Sequence, residues 1–245
     1  MHLQTNNFRF VIVGAGRGGT SLLAGLLDFH SSLEVGFELF SAACLMGRKI
    51  AHQSPAIFGE RVDAFMTACT AEAARYPGKL WGNKITTEQI HGLEDHNTAN
   101  PDARIDVLDS LFNARMGNQA VIFILRDGRA CVNSKAQRTG QSLETACKRW
   151  QYSVECYRFF RTRHRDNVCV RFEDLLTDPR ATLTSVCDFL KIPYEEQMLN
   201  GVANRKMRPE YQSSKIDESK MEIADLPGPY LRMIEDDLAY CGYLK

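Results

Sequence analysis

Short apolar runs alternate with longer amphipathic stretches along this chain of 245 residues. The apolar runs are typical of buried parallel strands and cover residues 8–13, 32–36, 80–84, 120–125 and 168–172. The intervening stretches predict helices at residues 20–29, 44–50, 60–75, 101–115, 127–138, 142–163, 178–190 and 229–240. A polar stretch at 200–220 predicts a surface loop. The alternation predicts an α/β fold, a central parallel sheet flanked by helices, in a single domain over residues 1–245.

Composition narrows the class of protein. Lys and Arg number 30 and balance 30 Asp and Glu, which argues against a partner nucleic acid held by bulk charge. No apolar run is long enough to span a bilayer, and the first residues lack the pattern of a signal peptide, so we expect a cytoplasmic protein. The eight cysteines include no Cys-x-x-Cys pair, so we expect reduced, buried thiols and no metal site.

A glycine-rich turn, GAGRGGTS at residues 14–21, joins the first predicted strand to the first predicted helix. Backbone N–H groups in such a turn, with a helix N-terminus behind them, bind anions. One interpretation is a dinucleotide loop with Glu34 as the ribose ligand, but Glu34 lies inside a predicted strand. A second is the phosphate loop of a kinase, but Thr20 occupies the position of its lysine. A structural turn with a solvated Arg17 is the simplest alternative.

A second motif, IFILRDGRACVNS at residues 122–134, is more specific. Arg126 ends a buried strand, and Ser134 lies about two helical turns further on, so both can reach one anion beside the first turn. Arg138 follows on the same helical face and either adds charge to that site or lies on the surface. Asp127 is expected to be the N-cap of the helix, with Arg129 as part of a solvated helix start.

Together the two motifs resemble those of sulfotransferases that use 3′-phosphoadenosine 5′-phosphosulfate (PAPS), most closely the tyrosylprotein sulfotransferases and related bacterial enzymes. The resemblance runs from the first strand to the last helix, and it implies a P-loop-like sulfotransferase fold that binds PAPS and releases the product PAP. It also implies the groups that hold PAPS. These are Arg17, Gly18, Gly19, Thr20 and Ser21 for the phosphosulfate, Arg126, Ser134 and Arg138 for the 3′-phosphate, and Ser214 and Lys215 in a covering loop, with Lys220 as a further candidate.

The same resemblance implies the catalytic residues. Glu38 lies where the related enzymes have their catalytic glutamate, and an attacking hydroxyl needs a base. Glu38 as an ordinary charge at a helix start is the alternative. Lys84, in the sequence Trp-Gly-Asn-Lys, is expected to stabilise the transferring group together with Arg17. The histidines 30, 52, 91 and 96 are weaker candidates for the base. Phe172 departs from the family pattern, because its relatives have Tyr there.

The sequence therefore predicts an enzyme that transfers a sulfuryl group from PAPS to an acceptor hydroxyl by in-line attack with a glutamate base. The acceptor is a carbohydrate, a phenol or a peptide tyrosine, and the sequence does not choose among them or set the oligomeric state. A nucleotide-dependent kinase is the main alternative. A non-catalytic PAP-binding protein would keep both phosphate motifs without needing Glu38 or Lys84.

Overall fold

A computed structural model describes residues 7–50, 55–164, 166–221 and 225–244. Within them the chain forms a parallel sheet of five strands in the order β2-β3-β1-β4-β5. The strands are β1 (Phe8–Gly14), β2 (Leu33–Phe37), β3 (Leu80–Thr86), β4 (Ala120–Leu125) and β5 (Asn167–Arg171). All five lie within two residues of the predicted runs, and the parallel α/β prediction is confirmed.

The helices cover both faces of the sheet. They are α1 (Thr20–Asp28), α2 (Ser41–Cys44), α3 (Ile57–Ala73), α4 (Thr87–His91), α5 (Asp95–Ala99), α6 (Val107–Asp109), α7 (Gly128–Thr139), α8 (Leu143–Thr162), α9 (Phe172–Thr177), α10 (Pro179–Leu190) and α11 (Gly228–Tyr240). Short 3₁₀ turns at Glu196–Ala203, Pro209–Tyr211 and Glu218–Met221 occupy parts of the predicted loop. No helix in the described ranges is long and apolar enough to cross a membrane.

The central strands alternate their side chains between two hydrophobic clusters, as the pleat of a strand requires. Val11 and Val13 of β1 pack with α3, α8 and α11 on one face. Phe10 and Ile12 pack with α1 and α10 on the other face. β1 pairs with β3 and β4, so the carboxyl ends of the central strands meet at one edge. Ligands of parallel sheets bind at this edge, which places the predicted motifs together.

Two predicted helices were wrong in extent. Residues 101–115 do not form one helix, because the Asn97 side chain bonds both the N–H and the C=O of Ile105 and holds the chain extended there. A 3₁₀ turn precedes that point, and α6 and the π-helix Ser110–Arg115 follow it. The helix predicted at residues 44–50 overlaps the observed α2, Ser41–Cys44, only at Cys44, and Gly47 with φ +65° lies outside the helical conformation.

Two further differences concern boundaries. The sequence did not predict α4, whose residues follow β3 directly. Phe172 begins α9 and does not end a strand. All eight cysteines are unpaired, and seven of them are buried. The described residues hold no group of His, Cys, Asp and Glu side chains suited to a metal ion.

Candidate active site

A cavity of about 530 Å³ opens at the carboxyl edge of the sheet. One side, the strand-end wall, comes from the ends of strands and the start of α1; it consists of Gly16, Arg17, Gly19, Thr20, Ser21, Leu22, Phe37, Glu38, Lys84, Thr86 and Arg126. The other side, the segment wall, consists of Lys206, Met207, Arg208, Glu210, Tyr211 and Lys220. Arg138 of α7 and Phe172 of α9 also line the cavity. The volume lies in the range of about 300–1,000 Å³ typical of small-molecule sites.

The glycine-rich turn presents only part of its backbone to the cavity. The Gly16 N–H donates to the Glu88 carboxylate at 2.9 Å, and the Gly18 N–H donates to the Ala15 carbonyl at 2.8 Å. Gly19 is the N-cap of α1 and provides no side-chain hydrogen bond. The first N–H groups of α1, at the positive end of the helix dipole, therefore have no hydrogen-bond partner among the described residues. This helix start is the part of the turn left available to an anion.

Arg17 joins the two predicted motifs. Its Nε donates to Ser134 Oγ at 3.1 Å, and its guanidinium lies 4.8 Å from the centre of the Tyr211 ring. Its backbone has φ +74°, a strained conformation for a residue with a side chain. Ser134 itself does not line the cavity, so in this structure its hydroxyl orients Arg17.

Arg126 is held at the end of β4 by contacts on several sides. One terminal nitrogen donates to the Arg17 carbonyl at 2.9 Å and the other to the Lys220 carbonyl at 2.6 Å. The guanidinium stacks on Phe172 at 4.3 Å from the ring centre. Its Nε is buried with no hydrogen-bond partner among the described residues. A buried donor of this kind is costly unless a ligand satisfies it, which fits an anion-binding role.

The backbone around Arg126 is fixed from behind the site. The indole N–H of Trp150 on α8 donates to the Arg126 carbonyl at 3.1 Å. The N–H of Asp127 donates to Glu173 at 3.0 Å. Asp127 caps α7 by accepting from the Arg129 N–H, as predicted, but its side chain is buried and not solvated.

Glu38 and Lys84 form an ion pair between Oε1 and Nζ at the ends of β2 and β3. The Glu38 N–H also donates to the Lys84 carbonyl at 2.8 Å, and Glu38 has φ +59°. The Lys84 side chain is 4% exposed and the Glu38 side chain 41%. The second Glu38 oxygen accepts from Gln89 Nε2 at 2.8 Å. The carboxylate is thus fixed on its protein side and open on its cavity side.

Burial and charge act in opposite directions on this pair. Burial raises the pKa of Glu38, but the charge and hydrogen bond of Lys84, the hydrogen bond of Gln89 and the charge of Arg208 outweigh it, so the pKa is lowered. Burial lowers the pKa of Lys84, and Arg208 adds to this effect, while Glu38 opposes it. At neutral pH the Glu38 side chain is therefore a carboxylate, able to accept a proton.

The cavity is strongly cationic although the whole chain has no net charge. Nine charged residues line it, namely Arg17, Lys84, Arg126, Arg138, Lys206, Arg208 and Lys220 against Glu38 and Glu210. A cleft with this excess of positive charge attracts anions.

Several predicted site residues lie elsewhere. Ser214 and Lys215 are exposed and do not line the cavity, while Lys220 does. Gly18 also lies outside the lining. Glu34 does not line the cavity itself; it pairs with Lys79 and with Lys206 of the segment wall. None of the described histidines lines the cavity, and His52 lies outside the described residues.

Sequence reasoning missed Gln89, Glu88 and Arg208; it names Tyr211 only as part of the stretch 201–220, which it expects to line the entrance for the acceptor. The first two belong to α4, and the signal that was available was Thr86-x-x-Gln89, the pattern of a capping box. Glu88 also forms a close ion pair with Lys135 beneath the glycine-rich turn. Arg208 and Tyr211 reach the cavity from a stretch with no periodic pattern, so only the tertiary structure locates them.

A model of the Sulfotransferase family matches residues 9–196, which include both motifs and the strand-end wall but not the segment wall. The chain belongs to this family. A search of curated protein sequences finds no match.

Solved structures agree on the fold. The sulfotransferase domain from the curacin biosynthetic pathway is similar over 96% of this chain and 98% of its own, with 18% identity and a TM-score of 0.67. The sulfotransferase domain of the Synechococcus PCC 7002 olefin synthase matches 97% of this chain and 95% of its own, with 18% identity and a TM-score of 0.70. Mouse sulfotransferase SULT7A1 complexed with PAP matches 96% of this chain and 85% of its own, with 10% identity and a TM-score of 0.50. At these identities the likeness shows the fold.

Proposed function

We propose that this protein is an enzyme that transfers a sulfuryl group from PAPS to an acceptor hydroxyl, with Glu38 as the base. The observation that carries the proposal is the direct contact between the two anion-binding motifs. Arg17 of the first motif bonds Ser134 of the second, and Arg126 bonds the Arg17 carbonyl. A ligand with two separate anionic groups suits this arrangement better than a ligand with one.

The residues present fit PAPS. The unpartnered N–H groups of α1 and the Arg17 guanidinium would hold the phosphosulfate, because a helix N-terminus and an arginine both favour an anion. The buried Arg126 Nε without a partner would meet the 3′-phosphate, with Arg138 at the cavity edge. When bound, PAPS supplies an activated sulfuryl group. Mouse SULT7A1, which shares the fold, is described in complex with PAP.

The side chains of the protein have separate roles in the proposed reaction. Glu38 accepts the proton of the attacking hydroxyl, because its carboxylate is ionised and half open to the cavity. Lys84 and Arg17 are the cations placed to stabilise negative charge that develops on the leaving oxygen. This is catalysis by position and charge, as in phosphoryl transfer.

The first test is calorimetric titration of the purified protein with PAP, ADP and NAD. We expect tight binding of PAP and weak binding of the other two, because only PAP carries both a 3′- and a 5′-phosphate. Preference for ADP would favour a kinase, and preference for NAD a dinucleotide enzyme.

A second test separates an enzyme from a PAP-binding protein without activity. The protein is incubated with ³⁵S-labelled PAPS and panels of hydroxyl acceptors, namely phenols, carbohydrates and tyrosyl peptides. Transfer of label that disappears in Glu38→Gln supports the proposal. Tight PAP binding with no transfer to any panel would favour the non-catalytic alternative.

A further inference from the structure

The Gln89 carboxamide lies behind Glu38, on the side away from the cavity, and no step of the proposed reaction has used it. Gln89 is the third residue of α4 and is 5% exposed. Its Oε1 accepts from the Thr86 N–H at 2.9 Å, and its Nε2 donates to Glu38 Oε2 at 2.8 Å. One side chain therefore connects a helix start to the carboxylate.

The orientation of this amide is determined by the backbone. Thr86 is the N-cap of α4, and its N–H is buried between β3 and the helix. A buried N–H needs an acceptor, so the oxygen of the Gln89 amide must face Thr86. The NH₂ group is then forced to face Glu38. A flipped amide would leave the Thr86 N–H unpaired and place an oxygen against a carboxylate.

Glu38 is consequently held at both oxygens by two residues of one short stretch. Lys84 of β3 pairs with Oε1, and Gln89 of α4 donates to Oε2. Both donors favour the ionised carboxylate over the carboxylic acid. From other elements the charge of Arg208 acts on Glu38, and Arg17, Lys206 and Glu210 line the same cavity.

We propose that Gln89 is a positioning residue for the base: it fixes the rotamer of Glu38 and holds it in the form that accepts a proton. The inference rests on the proposed function of Glu38, but the contact itself is testable without any acceptor. The capping box makes the test clean, because Glu serves as well as Gln at this position of a helix. Gln89→Glu keeps the bond to Thr86 and replaces the donor facing Glu38 with a second carboxylate.

The experiment measures the pKa of Glu38 by NMR in protein labelled with ¹³C at the glutamate carboxyl carbon. The Glu38 signal is assigned by its loss in Glu38→Gln. In Gln89→Glu we expect the two carboxylates to titrate as a pair, with the apparent pKa of Glu38 raised by about one unit or more. An unchanged titration of Glu38 would overturn the proposal.

Gln197→Glu is the matched control. Gln197 donates to Glu195 at 2.7 Å, so the variant makes the same amide-to-carboxylate change beside a different glutamate outside the cavity. It should leave the Glu38 signal unchanged. A shift of Glu38 equal to that in Gln89→Glu would mean that net charge alone is responsible and would contradict the proposal.

Turnover then separates this inference from the proposed function. With any acceptor found in the label-transfer screen, Gln89→Glu should shift the acid limb of the pH profile of kcat to higher pH and leave the Kd for PAP unchanged. Gln89→Met, which removes both bonds, should lower kcat roughly tenfold or more with the same Kd for PAP. A raised pKa with an unmoved pH profile would confirm the contact and overturn Glu38 as the base. A loss of PAP binding in parallel with kcat would indicate a merely structural role for Gln89.

Discussion

The two walls of the cavity are built in different ways. The strand-end wall takes its positions from the sheet: Arg126 and Lys84 lie at or beside strand ends, and Arg17 lies in the turn between β1 and α1. The segment wall comes from 3₁₀ turns that depend on a few side-chain bonds. Lys206 bonds Asp28 and Glu34, Gln212 bonds the Met207 carbonyl, and the Lys220 carbonyl accepts from Arg126.

The backbone conformations of the two walls indicate a different role for each. Three non-glycine residues near the cavity have positive φ, namely Arg17, Glu38 and Phe40, and all three lie on or beside the strand-end wall. A sheet can maintain such strain, and strain of this kind clusters at functional sites. The segment wall contains none of these residues and carries the exposed Arg208. On the proposed function, we therefore expect the strand-end wall to bind the donor and accept the proton, and the segment wall to determine the choice of acceptor.

The largest effect should follow from Glu38→Gln in the strand-end wall. Loss of the base should lower kcat by roughly 10²–10⁴ while PAP affinity stays nearly constant. Label transfer from PAPS and calorimetry measure the two quantities. Glu144→Gln is the control, since Glu144 is exposed, pairs with Lys148 and lies outside the cavity lining. Equal losses in both variants would contradict the division between the walls.

Gly19→Ala tests the packing that supports the strand-end wall. Gly19 has φ +94°, and an added Cβ would collide with the Phe172 ring. Backbone strain and overpacking together should cost about 2–4 kcal/mol, which lowers Tm by roughly 5–15 °C.

Gly140→Ala is the matched control for that variant. Gly140 has φ +67° but nothing within 4 Å of its added Cβ, so only backbone strain acts. We expect a loss of about 1–2 kcal/mol by differential scanning calorimetry. Equal shifts of Tm in the two variants would show that contact with Phe172 contributes nothing.

Arg126→Ala and Arg138→Ala compare the loss of an arginine held by protein contacts with the loss of an exposed arginine. Arg126 is already oriented by three contacts, so its loss should weaken PAP binding by roughly 10- to 100-fold, the effect of a charge-assisted bond. Arg138 is exposed, and Arg138→Ala should change the Kd only a few-fold. Titration of both variants with PAP decides the matter, and a larger effect for Arg138 would reverse the comparison.

Lys206→Met should have the smallest effect, because this side chain anchors the segment wall from a half-exposed position. Burial lowers the pKa of Lys206, but the bonds to Asp28 and Glu34 outweigh it and raise the pKa. Lys206 therefore stabilises the fold below its unfolded pKa of about 10.4, and this contribution is lost as pH rises through the higher folded pKa. We expect a loss of about 1 kcal/mol at pH 7. Urea unfolding should show the difference from wild type shrinking as pH rises above the unfolded pKa of about 10.4, and a difference that does not shrink would contradict the charge argument.

The sequence predicted the strands well because a buried parallel strand is a short apolar run whatever surrounds it. It failed at residues 101–115, where the Asn97 side chain breaks a stretch whose own pattern favours a helix. The sequence missed α4 because this helix has only five residues, too few to show a period, and its capping box is the only local signal.

Some residues of the candidate site could likewise be predicted from the sequence, and others could not. Residues adjacent to strand ends could be predicted, since the carboxyl edge of a parallel sheet brings them together from distant parts of the chain. Arg17, Glu38, Lys84 and Arg126 all line one cavity. Ser214 and Lys215 do not line this cavity. The family resemblance suggested them, but it does not determine the path of a surface segment.

What the sequence alone determined is the order of strands and helices, the two anion motifs and their place after strands, because these depend on local periodicity and on glycine and proline chemistry. The tertiary structure decided which partners each group has. That Arg17 bonds Ser134, that Glu88 occupies the Gly16 N–H, and that Gln89 holds Glu38 all depend on contacts across 51 to 117 residues of chain. Such contacts arise only when packing of the two hydrophobic clusters brings the strand ends to one edge.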